Sequence, residues 1–270
     1  DIDGVSSWLN RDPSYKNHPS LMSMAEYGPS VATPRILDML DAHSIPASFY
    51  VPGVVAETHE DLVSEIFKRG FEVAHHGYMH EPPSTLSPDE EKSVLERGIS
   101  ILEGITGTAP VGYRSPSWEL SEHSLEFLSS LGFKYDTSLM GDDAPYMVDV
   151  PGTDKQLVEL PIHWLLDDAP NFVYAPVANR LGPMRNPDEA IAESIKLLLD
   201  NGFDPNSADN FGLTPLHYAV KNGNKTAITM LLRAGAKPDA METSYGNSPL
   251  HYAATLGNEG FIQDLVAAGG

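Results

Sequence analysis

The stretch VAHHGYMHE, residues 73–81, places His75, His76 and His80 within six positions. Imidazoles four residues apart share one side of a helical turn or compact loop, which is how a divalent metal gathers two of its ligands. The chain has no cysteine, so a metal must be held by His, Asp or Glu. Asp3, in the opening DIDG, is the natural third ligand. Asp, His and His with a water make an open zinc-type site able to generate a hydroxide-like nucleophile. Asp1 points the same way as Asp3 if the segment is extended, and would then act as general base on that water. Two other hydrolase types fail at once. A zinc protease helix needs Glu after its first His, where this chain has Gly77, and no G-x-S-x-G elbow occurs anywhere. An isolated H-x-x-x-H is more often loop decoration than a metal site, so the surrounding elements decide.

Those elements alternate short strand-like runs with capped helices up to about residue 185, the α/β rhythm. ASFYVPG (47–53) reads as a strand, and THEDLVSEIFKRG as a helix with Thr58 and Asp61 spaced as a capping box. Leu62, Val63, Ile66 and Phe67 share its apolar face, and Gly70 ends it. FEVAHH then repeats the strand. SPDEEKSVLERGISILEGITG repeats the helix, with Ser87 as N-cap, Pro88 in the first turn, and Val94, Leu95, Ile99 and Leu102 inward. PVGYR (110–114), FKYD (133–136) and LVELP (157–161) are further strands, each closing on polar residues. In parallel α/β barrels such strand ends converge on one face, so Asp3, His76, His80, Arg114 and Asp136 are expected to meet.

Past about residue 190 the rhythm becomes a repeat. LTPLHYAVKNGN (213–224) returns as NSPLHYAATLGN (247–258), and LLLDNGFDPN from 197 returns as MLLRAGAKPD from 230. The 33- to 34-residue period and the T-P-L-H signature resemble ankyrin repeats, which implies paired helices joined by β-turns and a surface for a protein partner. Pro215 and Pro249 fall at helix starts, and Gly202, Gly235 and Gly269 at helix stops. His217 and His251 are then scaffold residues and not metal ligands. The formal charge of −21 leaves no basic surface for nucleic acid or an anionic membrane. No run of about 18 apolar residues suggests a membrane span, and the cytosol is the default location.

Residues 1–189 resemble the polysaccharide deacetylase family (carbohydrate esterase family 4), in its peptidoglycan-deacetylase and cyclic-imidase or allantoinase-like branch. The resemblance rests on DIDGVSSWL, HHGYMHE, GYRSPSWELS, FKYDTSLMGDDAPY and LVELPIHWLLDD, met in that order. It implies a distorted (β/α) barrel with a divalent metal, usually zinc, at the strand ends. It also implies hydrolysis of a non-peptide C–N bond, either an N-acetyl amide of a glycan or a small cyclic amide or imide. By position Asp1 is the base, Asp3, His76 and His80 the ligands, Arg114 the residue that orients the base, and Trp118 part of the pocket wall. Tyr78 is either a substrate contact or packing, and His75 either a support for the ligands or packing. The segment RDPSYKNHPSLMSMAEYG (11–28) reads as a loop that restricts access.

The resemblance also predicts what is missing. The strand that leads into the first motif is nearly absent, and a histidine that protonates the leaving nitrogen near the barrel's end has no counterpart outside the P-L-H-Y-A repeats. The expectation is therefore an incomplete barrel domain (1–189), impaired in catalysis, joined without a flexible linker to an ankyrin-repeat segment of about two repeats (190–270) in a chimera of unrelated parts. The alternative is a non-catalytic chimera in which only the ankyrin-like segment binds a partner.

Overall fold

A computed structural model describes residues 1–163, 166–167, 174–175, 180–181 and 186–270. The chain divides into two compact units, Asp1–Ile162 and His163–Gly270. The boundary expected at 189/190 falls inside the second of these.

The first unit is built on a six-stranded sheet in the order β1-β2-β3-β4-β6-β5: β1 (Ser48–Val51), β2 (Glu72–His75), β3 (Gly112–Tyr113), β4 (Tyr135–Asp136), β5 (Tyr146–Asp149) and β6 (Gln156–Glu159). All pairings are parallel except β5 with β6. The helices are α1 (Ser6–Arg11), α2 (Pro19–Tyr27), α3 (Thr33–His43), α4 (Gly53–Thr58), α5 (Glu60–Lys68), α6 (Pro88–Thr106) and α7 (Ser124–Leu131). Side chains alternate across each strand. Phe49, Val51 and Val73 accordingly join Leu37, Val63, Ile66 and Leu102 of α3, α5 and α6 in one buried cluster. Tyr113 and Leu157 join Leu95 of α6, Leu128 of α7 and Phe133 in a second.

The Ser87 capping box forms as read, with the Glu90 carboxylate accepting from the Ser87 N–H at 2.9 Å. The Thr58 box does not. Thr58 is the last residue of α4, and its hydroxyl donates to the Val54 carbonyl. Backbone carbonyls one turn back compete for a hydroxyl in a helix, and here they win. Phe67 is 40% exposed and not inward. The segment expected as an access loop is instead mostly α2 and a short 3-10 turn at Pro13–Asn17. Strand β5 was not expected.

In the second unit, α8 (Pro187–Asp200), α9 (Pro215–Lys221), α10 (Lys225–Arg233), α11 (Pro249–Leu256) and α12 (Glu259–Ala267) carry the repeat. A short antiparallel pair, β7 (Tyr174–Ala175) with β8 (Arg180–Leu181), precedes them. Leu216, Val220, Ile228, Leu231, Ala253 and Leu265 form the core. His217 and His251 are helix caps, each Nδ1 accepting the N–H of the residue three before it, Thr214 and Ser248. His217 also reaches across the repeat to the Asn247 carbonyl. Gly202, Gly235 and Gly269 stand at helix ends with positive φ, a backbone region that favours glycine. Residues 164, 165 and 168 of the LVELPIHWLLDD motif lie outside the described residues, whereas the junction expected at 189/190 falls within α8.

Candidate metal centre

The alternation of β2 separates the three histidines. His75 lies in register with Tyr113 and faces the helices, so His76 faces the opposite way. His75 is fully buried, its Nδ1 accepting the Gly77 N–H and its Nε2–H donating to the Leu95 carbonyl on α6. Burial pushes its imidazole down to about 3, so it stays neutral. Of the two roles left open for His75, packing behind the site is the one observed.

Residues 76–80 form a turn rather than a helix. Gly77 has φ +70, a Cβ there would lie 3.0 Å from Pro116, and His80 itself has φ 62. Glu81 stabilises this turn by accepting from the N–H groups of Tyr78 at 3.2 Å and Met79 at 2.7 Å. Asn10 of α1 donates to the His80 carbonyl, and the Gly53 and Val54 N–H groups donate to the carbonyls of Gly77 and Tyr78. A non-glycine residue at positive φ costs energy and persists only where its surroundings enforce it, as these bonds do at His80.

The result is a compact group. His76 Nε2 lies 3.5 Å from Asp3 Oδ1, and His80 Nε2 lies 3.3 Å from Asp3 Oδ2. The three ligand atoms all fall within 4.8 Å of one another. The Nδ1–H of His76 donates to the Arg114 carbonyl at 2.7 Å, which leaves the Nε2 lone pair free to face Asp3. His76 Nε2 and Asp3 Oδ1 are both buried without a hydrogen-bond partner. Buried polar atoms are rarely orphaned, and here a lone pair and a carboxylate oxygen face one another with no proton between them. A cation satisfies both, so the residues fit a divalent metal. Burial works against ionisation of Asp3, yet the hydrogen bond from His80 and the neighbouring imidazoles prevail and hold its carboxyl below the usual range. Burial pushes His76 down to about 3, keeping it neutral as a ligand must be.

Asp1 stands beside this group, 4.0 Å from His76 Nε2, and forms an ion pair with Arg114 at 2.9 Å. The Ile2 N–H donates to the Tyr50 carbonyl, which ties the segment carrying Asp1 and Asp3 to β1. The Arg114 fork is itself fixed: Nε donates to the Thr137 carbonyl and one Nη to the Thr137 hydroxyl, while the guanidinium lies 4.3 Å over the Tyr50 ring. Trp118 follows Ser117 in a double left-handed turn, φ 59 and 56, on the loop after β3.

Two expected members stand elsewhere. Asp136 is buried on the helix-facing side of β4, paired in register with Glu159, and does not reach the metal group. Strand parity decides this, because Asp136 shares a row and a face with His75 and Tyr113. Tyr78 turns its hydroxyl to Glu57 at 2.9 Å, and Arg97 stacks 3.5 Å over its ring. That arrangement is packing against α4 and α6. Sequence reasoning missed Glu81, Asn10 and Thr137. Only Glu81, adjacent to the last histidine, carried a signal.

Residues 15–135 match the family model described as polysaccharide deacetylase, and residues 188–270 the model described as ankyrin repeats (3 copies). The chain is 34% identical to a peptidoglycan deacetylase of Helicobacter pylori, over 64% of this chain and 67% of that protein. It is 30% identical to a peptidoglycan deacetylase-like protein of Gibberella zeae, over 65% of this chain and 59% of the other. Among solved structures, a Mycobacterium smegmatis protein described as a polysaccharide deacetylase superposes with a TM-score of 0.69 at 39% identity, covering 74% of this chain and 68% of that one.

Proposed function

This chain belongs to the polysaccharide deacetylase family, and from that premise we propose that its first unit hydrolyses the N-acetyl amide of a glycan with the help of a divalent metal, zinc. The observation that carries the reading is the pair of orphaned, facing atoms, His76 Nε2 and Asp3 Oδ1, with the Asp1–Arg114 ion pair beside them. Asp3, His76 and His80 hold the metal, which when bound supplies a positive charge that polarises an amide carbonyl and acidifies water. Asp1 takes the proton from the attacking water. Arg114 pairs with Asp1 and aims it, and Trp118 walls the pocket. The leaving nitrogen needs a proton for which no donor is assigned among the described residues. A site without its general acid turns over about 10²- to 10⁴-fold more slowly, so turnover is expected to be slow. The ankyrin-repeat segment within the second unit, residues 190–270, is assigned as a protein-binding module.

Metal stoichiometry on desalted protein supplied with zinc tests the reading, together with acetate release from an N-acetylated oligosaccharide. About one zinc per chain, lost in His76→Ala, is expected. Acetate release should vanish in Asp1→Asn. A wild type that takes up no zinc overturns the reading and leaves the ankyrin-like unit as the functional part. Turnover of a cyclic imide instead of the glycan moves the substrate to the other branch of the family.

A further inference from the structure

The side of the sheet that faces away from the metal group holds a second pair of acids. Asp136 on β4 and Glu159 on β6 stand side by side in parallel register, and both are fully buried. One oxygen of each is accounted for. Glu159 Oε1 accepts from the N–H groups of Ser138 at 3.0 Å and Leu139 at 2.9 Å, and Asp136 Oδ1 accepts from the Ser138 hydroxyl at 2.7 Å. The Ser138 hydroxyl in turn accepts from the Ser115 N–H at 2.8 Å. The remaining oxygens, Asp136 Oδ2 and Glu159 Oε2, have no donor at all. Two adjacent buried carboxylates cannot both stay ionised without one, and a single shared proton supplies it.

What the pair grips is the turn 137–139, and that turn holds Arg114 through both the carbonyl and the hydroxyl of Thr137. Arg114 then holds Asp1. We propose that Asp136 and Glu159 share one proton and act as positioning residues, clamping the Thr137–Leu139 turn so that Arg114 presents Asp1 to the metal group. The inference rests on the reading of Asp1 as base only for its catalytic consequence; the shared proton stands on geometry alone. Burial raises the affinity of both carboxyls for a proton, and for Glu159 the neighbouring Asp136 charge raises it further. The titratable groups facing the pair are Tyr113 from β3 and Tyr146 from β5, both raised by burial and so neutral when the pair loses its proton. Glu91 of α6, which also faces Tyr113, is tied to the hydroxyls of Ser121 and Ser124.

The sign follows from linkage. The folded pair keeps a proton that the unfolded chain releases in the ordinary carboxylate range, so stability declines from that range upward until the folded pair also ionises. Glu159→Gln mimics the protonated acid and removes this decline. In the full chain, the thermal midpoint of Glu159→Gln is expected to pull ahead of the wild type as pH rises, the gap widening by about 5 °C or more. In the active protein, the wild-type kcat should fall about tenfold on the alkaline side with KM and bound zinc unchanged. Glu159→Gln should retain that alkaline kcat, whereas Glu159→Ala is low throughout. If the Gln variant folds poorly, Asp136→Asn reports the same gap. A gap independent of pH in these variants, or an alkaline fall that persists in Glu159→Gln, overturns the proposal. Absence of turnover in the wild type would sink the hydrolase reading alone, because the melting comparison needs no substrate.

Discussion

His75 and His76 are chemically identical neighbours with opposite fates, and the cause is the two-residue period of a strand. One imidazole is sent among Leu95, Tyr113 and Phe133 and the other toward Asp3. The H-x-x-x-H spacing and the DID triplet were legible because ligand chemistry restricts residue types. The same parity, applied to FKYD, would have put Asp136 on the far face. Arg114 was also legible, but its supports were not: Thr137 sits in an unremarkable YDTS and contributes a carbonyl as well as its hydroxyl. Its fork makes three directed bonds, to Asp1 and twice to Thr137. A lysine carries the charge on a single point and cannot hold both partners. Arg114→Lys is therefore expected to lower kcat about 10- to 100-fold while bound zinc stays at the wild-type level, as steady-state kinetics beside metal analysis would register. Equal loss of zinc would show that Arg114 builds the ligand set instead.

Helix α6 carries two glycines that sequence alone cannot tell apart, and their surroundings give opposite answers. A Cβ at Gly98 would lie 2.1 Å from His75 Nε2, so the helix approaches β2 only because that position is bare. A Cβ at Gly104 meets nothing within 4 Å. Glycine inside a helix costs roughly 0.5–1 kcal/mol relative to alanine, so Gly104→Ala should stabilise the first unit by about that amount. Gly98→Ala gains the same propensity but must displace His75, whose hydrogen bond to the Leu95 carbonyl and support of the Gly77 N–H are lost together. A net loss of about 1–3 kcal/mol is expected in denaturant unfolding. Equal and favourable shifts for both variants would mean that the α6–β2 contact is loose. The capping box at Ser87 was readable from Ser87 and Glu90 in sequence, while the failed box at Thr58 shows that spacing does not say on which side of a helix break a threonine falls.

Two rhythms in the sequence, strand with helix and then a repeat of helix pairs, anticipated the two kinds of architecture. They did not anticipate β5, because YMVD alternates between half-buried and exposed positions at a sheet edge and carries no strong apolar face. A repeat is legible for the opposite reason: each helix pair must bury the same positions against its neighbours, so the pattern recurs. Ile228 of α10 is such a position, fully buried among Leu216, Val220 and Leu265 in the core of the second unit. Leu256 of α11 has the same apolar character but is 53% exposed. In an array stabilised by nearest-neighbour packing, a cavity in the central pair weakens the interfaces on both of its sides. Ile228→Ala should cost about 2–5 kcal/mol, and Leu256→Ala should stay within about 0.5 kcal/mol of wild type. Thermal melts followed by helical circular dichroism would separate the two. Similar losses at both positions would mean that Leu256 is covered in solution, which would point to the face of α11 as the one a protein partner takes.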